Sequence, residues 1–258
     1  MDASTVRAEL PLAAQLSAAG LDWIVPEWRA PITVRALSTT RHGAGNDIAD
    51  FARAQPAGGA RELLRRFVPR EPLWLAQSHG TTIVDADIGH RSAPQGDGAV
   101  SRAAEHVCAV LSADCLPVLF ADRSGDAVAA AHAGWRGLAA GVLEATVASM
   151  QVASANVLAW LGPAIGPNAF EVGPDVRAAY CDRDPGAGSC FVATREGKWH
   201  ADLYALARRA LARAGIDQAS IHGGGRCTYS ESSLFHSYRR GGVGRDARMA
   251  TLIWLEPE

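Results

Sequence analysis

Short apolar runs separated by polar turns dominate the middle of the chain. Residues 107–111, 116–121 and 127–131 are three such runs, each of the length of a β-strand. The stretch DRSGD at 122–126 separates the last two runs, and its composition is typical of a hairpin turn. Further apolar runs extend the prediction of strands to residues 32–39, 73–76, 157–161 and 250–255.

Two segments show the three- and four-residue spacing of an amphipathic helix. They are residues 137–150 and residues 201–214, the second of which is followed directly by Gly215. Weaker helices are predicted at 5–19, where Pro11 interrupts the pattern, at 61–67 and at 174–180, and loops at 41–59 and 182–189. Because no linker, repeat or regular strand–helix–strand alternation divides the chain, we predict one domain over residues 1–258.

Composition narrows the class of protein. The chain has 258 residues, 48% of them hydrophobic, and a net charge of −2, which excludes a disordered chain and gives no global electrostatic footprint for nucleic acid. No apolar run reaches the roughly 18 residues needed to cross a membrane, and Asp2, Arg7 and Glu9 do not suit a signal peptide. The five cysteines lack the density of a disulfide scaffold. We therefore expect a cytoplasmic protein with reduced thiols and with neither membrane nor nucleic-acid partners.

Three polar residues at the ends of apolar runs are the candidates for chemistry: His79, Cys115 and His132. Two imidazoles and one thiolate form a suitable ligand set for a catalytic zinc ion, whose fourth position stays open. The common hydrolase, nucleotide-loop and finger motifs do not occur in the chain. The structural alternative is a cysteine packed as a small hydrophobe and histidines that only form hydrogen bonds. The spacing of the three residues leaves both interpretations open.

Several short sequence motifs resemble those of one known family. The chain is similar to the YfiH/YlmD-type family, which has been described as a multicopper polyphenol oxidase or laccase domain and as a purine nucleoside phosphorylase. The resemblance covers roughly residues 30–255. The matching words are QSHG at 77–80, ADCLPVLF at 113–120, AAAHAGWRG at 129–137, AWLGPAIGP at 159–167, FEVG at 170–173, RCTY at 226–229, SYRR at 237–240 and IWL at 253–255.

The resemblance implies a fold, a metal and a reaction. The fold expected is an α+β, single-domain α/β/β/α sandwich, related to toxin-type cysteine hydrolases. The metal expected is Zn²⁺, held by the residues that match the family ligands, His79, Cys115 and His132. The substrates implied are phosphate and the purine nucleosides adenosine, inosine, guanosine and methylthioadenosine, with deamination of adenosine as a second activity. A role in peptidoglycan editing is attached to some family members.

Arginines and aromatic residues supply candidates for binding the substrate. Arg136 lies in the GWRG motif at 134–137, which leads into the predicted helix, where backbone N–H groups and a guanidinium would favour phosphate. Arg41 matches an early family arginine and is expected to line the same pocket, whereas Arg239 and Arg248 are weaker candidates for binding an anion. Structural roles are expected for Asp114 and for the cysteines other than Cys115, and either purine stacking or core packing for two aromatic residues, Trp135 and Phe235.

The chain departs from the family pattern in two places. Residues 41–67 are shorter than the corresponding family segment and lack its characteristic words, with Asn46 as the only stand-in for a family asparagine. The link at 241–249 is longer than usual, so that either Arg245 or Arg248 matches the family arginine. The first departure motivates the hypothesis of a family member with an altered pocket and impaired or redirected activity.

Another hypothesis uses the same residues without a metal. Cys115 would be the nucleophile of a cysteine hydrolase and His132 its base. The sequence does not separate this reading from the zinc site. A copper oxidase is disfavoured, because a multicopper site needs many more histidine ligands than these positions offer.

Overall fold

The computed structural model describes residues 11–43, 49–52, 59–241 and 247–257. The strands are β1 Val34–Ser38, β2 Ile83–Asp85, β3 Gly98–Ser101, β4 Cys108–Ser112, β5 Leu116–Asp122, β6 Val128–Ala133, β7 Val157–Leu161, β8 Glu171–Val172, β9 Phe191–Arg195, β10 Lys198–Ala201, β11 Ile221–Gly223 and β12 Met249–Leu255. The helices are α1 Leu12–Ala18, α2 Ala60–Leu64, α3 Trp135–Ala140, α4 Val142–Met150, α5 Pro174–Cys181, α6 Leu203–Arg213 and α7 Tyr238–Gly241.

The strands form two facing sheets and one small sheet. The large sheet has the order β11-β7-β5-β6-β3-β2, in which the β11–β7 and β2–β3 pairs are parallel and the others antiparallel. The second sheet is antiparallel and has the order β1-β12-β4. The small sheet has the order β8-β10-β9. The predicted hairpin at 122–126 is confirmed, because β5 and β6 pair in antiparallel fashion on either side of it.

Side chains alternate between the two faces of the strands, and this alternation produces four layers. On β6, Ala129, Ala131 and Ala133 pack in a core cluster with α3 to α6, whereas Val128 and Ala130 pack in a second cluster with β1, β4 and β12. The outer face of the β1-β12-β4 sheet packs against α1 and α2. The order of layers is therefore helix, sheet, sheet, helix, and the α+β sandwich is confirmed.

The single-domain organisation of residues 1–258 stays a prediction, which the core shared by the two facing sheets supports. Within the described part of the chain, no helix combines the length and apolar character that crossing a bilayer requires.

Several local predictions need correction. The helix predicted at 137–150 is divided into α3 and α4 by Gly141, whose φ of 104° lies in the left-handed region. The run at 73–76 forms isolated bridges instead of a strand. The strand predicted at 127–131 extends to Ala133, so His132 lies inside β6 and not after it. Of the helix predicted at 5–19, the structure describes α1, and residues 5–10 lie outside the described chain.

Short strands account for most of the elements that sequence reasoning missed. Strands β2, β3, β8, β9, β10 and β11 have five residues or fewer, and their composition gave no clear period. In β9, for example, only the first residue is buried. The segment at 182–189, predicted to be a loop, includes most of a short 3₁₀ helix, Pro185–Cys190.

Candidate metal centre and cavity

His79, Cys115 and His132 converge although they lie far apart in the sequence. His132 belongs to a central strand of the large sheet, and Cys115 lies in the connection that crosses from β4 to β5. One ligand atom from each of the three side chains lies within 4.8 Å of the others, and the Cys115 Sγ to His79 Nε2 distance is 3.7 Å. The two imidazole rings meet edge to face, with their centroids 4.8 Å apart.

Asp97 holds both histidines in place. Its Oδ1 accepts hydrogen bonds from His79 N at 2.8 Å and from His132 Nδ1 at 3.0 Å. Its Oδ2 accepts from Gly80 N at 2.7 Å, from Ser78 N at 3.1 Å and from Ser78 Oγ at 3.2 Å. The carboxylate is fully buried, so these donors replace the water it has lost. His79 has a φ of 62°, a strained value for this residue type, and its backbone N–H is one of these donors.

Sequence reasoning missed Asp97. The residue lies between Gly96 and Gly98, just before a short strand, and a Gly-Asp-Gly stretch is typical of a turn. Nothing in the sequence signals its five hydrogen bonds, because its partners come from a turn and a strand elsewhere in the chain.

The ionisation of the site follows from these contacts. Burial opposes ionisation of Asp97, but hydrogen bonds from His132, Gly80 and Ser78 outweigh it and lower the pKa of the carboxyl to about 2. Burial likewise opposes ionisation of the Cys115 thiol, but hydrogen bonds from His132 and His79 lower its pKa to about 6. For His132, hydrogen bonds to Asp97 and Cys115 overcome burial and raise the pKa to about 9. A thiolate is therefore stable beside the two rings.

These residues fit a zinc ion. The Asp97 contact occupies Nδ1 of His132, which leaves Nε2 as the ligand atom, as in the usual pairing of a carboxylate with a metal-binding histidine. Tetrahedral zinc bonds place a sulfur and a nitrogen ligand about 3.5 Å apart, close to the separation of Cys115 and His79. Gly134 leaves the necessary room, because a Cβ there would lie 2.6 Å from His79 Cδ2 and 3.0 Å from Cys115 Sγ.

The three side chains border a cavity of about 660 Å³. The described lining also includes aliphatic residues, three aromatic side chains and three arginines, the last six being Trp135, Phe170, Tyr238, Arg136, Arg239 and Arg248. Asp114 is the carboxylate in this lining, and three protein donors already bond to it. The cavity therefore favours an anion beside an aromatic ligand.

The predicted binding residues divide between the cavity and other places. Arg136 lines the cavity, and its guanidinium Cζ lies 4.4 Å from the centroid of the Trp135 ring. Arg41 is not among the described residues that line the cavity, and its guanidinium donates to the carbonyl of Ser232 at 2.7 Å. Phe235 is fully buried, which makes it a core residue and not a stacking platform.

Other predictions fall near or outside the site. Arg248 lines the cavity, whereas Arg245 and Asn46 lie outside the described residues. Asp114 lies between β4 and β5 with a φ of 87°, and it accepts hydrogen bonds from the C-terminal part of the chain. All five cysteines are free, and burial raises the pKa of the Cys108 thiol, as expected for a packing residue.

Comparison with known proteins identifies the family. The model of the multi-copper polyphenol oxidoreductase laccase family matches residues 57–256. The chain belongs to this family. The described residues contain one group of three side chains close enough to share a metal ion. Several copper ions, as the family description implies, would need more ligands than this group provides.

Relatives of the chain are named for a different activity. A purine nucleoside phosphorylase of Pseudomonas aeruginosa is 46% identical over 246 residues, covering 91% of this chain and 98% of the relative. The purine nucleoside phosphorylase YfiH of Escherichia coli is 44% identical over 243 residues, covering 90% of this chain and 98% of the relative.

Solved structures share the fold. A Neisseria meningitidis protein has a TM-score of 0.83 and 42% identity, covering 92% of this chain and 100% of that one. YlmD from Geobacillus stearothermophilus has a TM-score of 0.74 and 27% identity, covering 88% of this chain and 93% of that one. The resemblance to the YfiH/YlmD-type family is thereby confirmed.

Proposed function

We propose that this protein is a zinc-dependent purine nucleoside phosphorylase that also deaminates adenosine. Adenosine, inosine, guanosine and methylthioadenosine are the nucleosides proposed as substrates. The observation that carries the proposal is the convergence of His79, Cys115 and His132 beside a large cavity lined by arginines and aromatic residues. The names of the relatives in Pseudomonas and Escherichia support the phosphorylase assignment.

His79, Cys115 and His132 would hold the zinc ion through two imidazole nitrogens and a thiolate. A bound zinc ion would supply Lewis-acid chemistry to the site. Asp97 keeps His132 in the tautomer that presents Nε2, and it fixes the backbone of the turn that carries His79. The protein thus holds the ligand set before substrate arrives, which lowers the cost of organising the site.

Phosphorolysis needs an anion site next to a purine site. A phosphate oxygen bonds to C1′ of the ribose while the bond from C1′ to the base nitrogen breaks, and the base leaves with a proton. Arg136 offers cationic donors for the phosphate, and the rings of Trp135 and Tyr238 offer faces for the purine. Deamination replaces the amino group of adenosine with an oxygen from water and releases ammonia.

A phosphate-dependent assay with metal analysis tests the proposal. We expect about one zinc per chain in the purified protein, and release of hypoxanthine from inosine and adenine from adenosine when phosphate is present. Cys115→Ala and His79→Ala should lose both zinc and activity. Cys181→Ala is the matched control, because its thiol is free and outside the described cavity lining. A wild-type protein that releases no base from any purine nucleoside contradicts the proposal.

A second candidate is a metal-free cysteine hydrolase. The observation in its favour is the chain of contacts from Cys115 through His132 to Asp97, which matches a nucleophile, a base and a group that orients the base. Metal analysis separates the two candidates. Zinc that is lost in His79→Ala excludes the hydrolase, whereas a zinc-free protein inactivated by thiol alkylation supports it.

We further infer that purine nucleosides and phosphate are small-molecule partners used in the cytoplasm. Five free cysteines suit a reducing compartment. Cell fractionation followed by immunoblotting tests this location, and recovery of the protein in an extracytoplasmic fraction would contradict it.

A further inference from the structure

Two adjacent arginines at the start of α7 have different surroundings. The guanidinium of Arg240 donates to three backbone carbonyls, those of Thr228, Tyr229 and Phe235. Arg239 lines the cavity with its guanidinium Cζ 5.6 Å from the centroid of the Phe170 ring, and the nitrogen that forms its hydrogen bonds is Nη1, at 3.2 Å from Glu171 O and 3.5 Å from Ala169 O. Within the described chain, Nε and Nη2 of Arg239 have no acceptor. Arg240 is therefore a structural cation, while Arg239 keeps donors for a ligand.

The cavity holds a second cation with free donors. Arg136 stacks on Trp135, and no carbonyl or carboxylate of the described residues accepts from its guanidinium. The three donors on Asp114 satisfy the carboxylate in the same lining. Arg136 and Arg239 thus present unused guanidinium donors to one cavity, an arrangement suited to an oxyanion with several acceptor oxygens.

Asp114 fixes the position of Arg239. Its Oδ2 accepts from the backbone N–H of Arg239 at 2.7 Å and from Ser237 Oγ at 3.0 Å, and its Oδ1 accepts from Thr228 Oγ1 at 2.6 Å. The side chain is buried, and the φ of 87° is a conformation that persists only where the surroundings determine it. Because Cys115 follows Asp114 directly, one short segment carries both a proposed metal ligand and the carboxylate that holds Arg239 at the cavity.

We propose that Arg239 contacts the phosphate co-substrate and that Asp114 is the positioning residue that holds Arg239 at the cavity. This inference rests on the proposed phosphorylase function. The phosphate would accept from Nε and Nη2 of Arg239 and from the guanidinium of Arg136. Thr228 and Ser237 act through Asp114 and do not reach the substrate.

Direct binding of inorganic phosphate tests the contact. In calorimetric titrations of the purified protein, Arg239→Gln should weaken phosphate binding about tenfold or more, because a charge-assisted hydrogen bond is lost. In the phosphorolysis assay, the same variant should raise KM for phosphate by a similar factor with a much smaller change in KM for inosine. Arg65→Gln is the matched control, since this exposed arginine pairs with Glu62 and Glu71 away from the described cavity lining.

The positioning role has its own measurements. Thr228→Val removes the hydroxyl that donates to Asp114, whereas Thr228→Ser keeps it. We expect Thr228→Val to raise KM for phosphate severalfold and to speed hydrogen exchange in the peptide that contains the Arg239 amide, while Thr228→Ser restores both to wild-type values. Zinc content and melting temperature, measured on each variant, separate these effects from misfolding or metal loss.

The outcomes distinguish this proposal from the function it rests on. Arg239→Gln that binds phosphate as tightly as the wild type, in a protein with phosphorolysis, overturns the role of Arg239 alone. Thr228→Val with unchanged phosphate KM and unchanged exchange overturns the positioning role of Asp114. A wild-type protein without phosphorolysis overturns the proposed function, whereas tenfold weaker phosphate binding in Arg239→Gln would still support the anion site.

Discussion

Two buried carboxylates organise two parts of the site, and they recruit their partners over very different distances along the chain. Asp97 gathers donors from residues 78–80 and from His132, which lie at most 35 positions away. Asp114 gathers donors from Thr228, Ser237 and Arg239, which lie 114 to 125 positions away. The side with the proposed metal ligands is therefore assembled by turns and central strands. The part of the cavity wall that carries Arg239 instead requires the C-terminal part of the chain to pack against the site.

This difference predicts two distinct effects of mutations in the site. Damage around Asp97 should remove the proposed zinc ion, because the carboxylate accepts hydrogen bonds from both histidines of the candidate site. Damage around Asp114 should leave the histidine ligands in place and impair the wall that carries Arg239. The following variants test whether the two sides are as independent as their contacts indicate.

The largest effect is expected from Gly134→Ala. The added Cβ would lie 2.6 Å from His79 Cδ2 and 3.0 Å from Cys115 Sγ, so the imidazole must shift from its present position. We expect loss of most of the bound zinc and a fall in phosphorolysis of about 100-fold or more, since a displacement of about 1 Å has that effect on a reacting site. Gly89→Ala is the control, because a Cβ at that position meets no atom within 4 Å. Full zinc content in Gly134→Ala would show that the turn at His79 adapts.

Asp97→Asn should produce the next largest effect. An amide nitrogen cannot accept the hydrogen bonds that one carboxylate oxygen now receives, and the charge that supports His132 is lost. We expect zinc affinity to fall about 10- to 100-fold in a competition titration with a chelator. The Thr228→Val variant of the Asp114 side should keep wild-type zinc affinity in the same titration. Equal losses in both variants would show that the two sides are coupled.

The smallest effects are expected from removing one serine hydroxyl beside Asp114 and one beside Asp97. Ser237→Ala removes a buried donor to Asp114 and should lower the free energy of unfolding by about 1 kcal/mol in denaturant titrations. Ser78→Ala removes an exposed hydroxyl from Asp97 while the backbone N–H of Ser78 still donates, so the change should stay within about 0.5 kcal/mol. The reverse ranking would contradict the burial argument.

The sequence predicts the central sheet better than it predicts the walls of the candidate site. The apolar runs that became β5, β6 and β12 are continuous and long enough to recognise. Residues such as Asp97 and Gly134 carry no local pattern, because their importance comes from atoms that tertiary folding brings next to them. The hypothesis that His79, Cys115 and His132 bind zinc came from the family resemblance, since their spacing alone left a structural role open.

The binding residues show the same limit. Arg41 is half-buried and Arg239 is exposed, and each guanidinium donates to a backbone carbonyl, yet of the two it is Arg239 that lines the described cavity. No spacing rule distinguishes them, because the difference depends on where tertiary folding places each side chain. The short strands β8 to β11 were missed for a related reason, since their two to five residues contain too few positions to show alternation.

The position of His132 within β6 links correct folding to cofactor uptake. In the observed register, His132 pairs with Pro117 of β5, and its side chain shares a face with Ala130 and Val128. A slip of one residue would turn the imidazole toward the helical layer, because neighbouring side chains of a strand point to opposite faces. Chains with a misaligned hairpin would therefore be unable to take up the ion. Zinc content measured after refolding would then report the fraction of molecules whose central sheet has assembled in the native alignment.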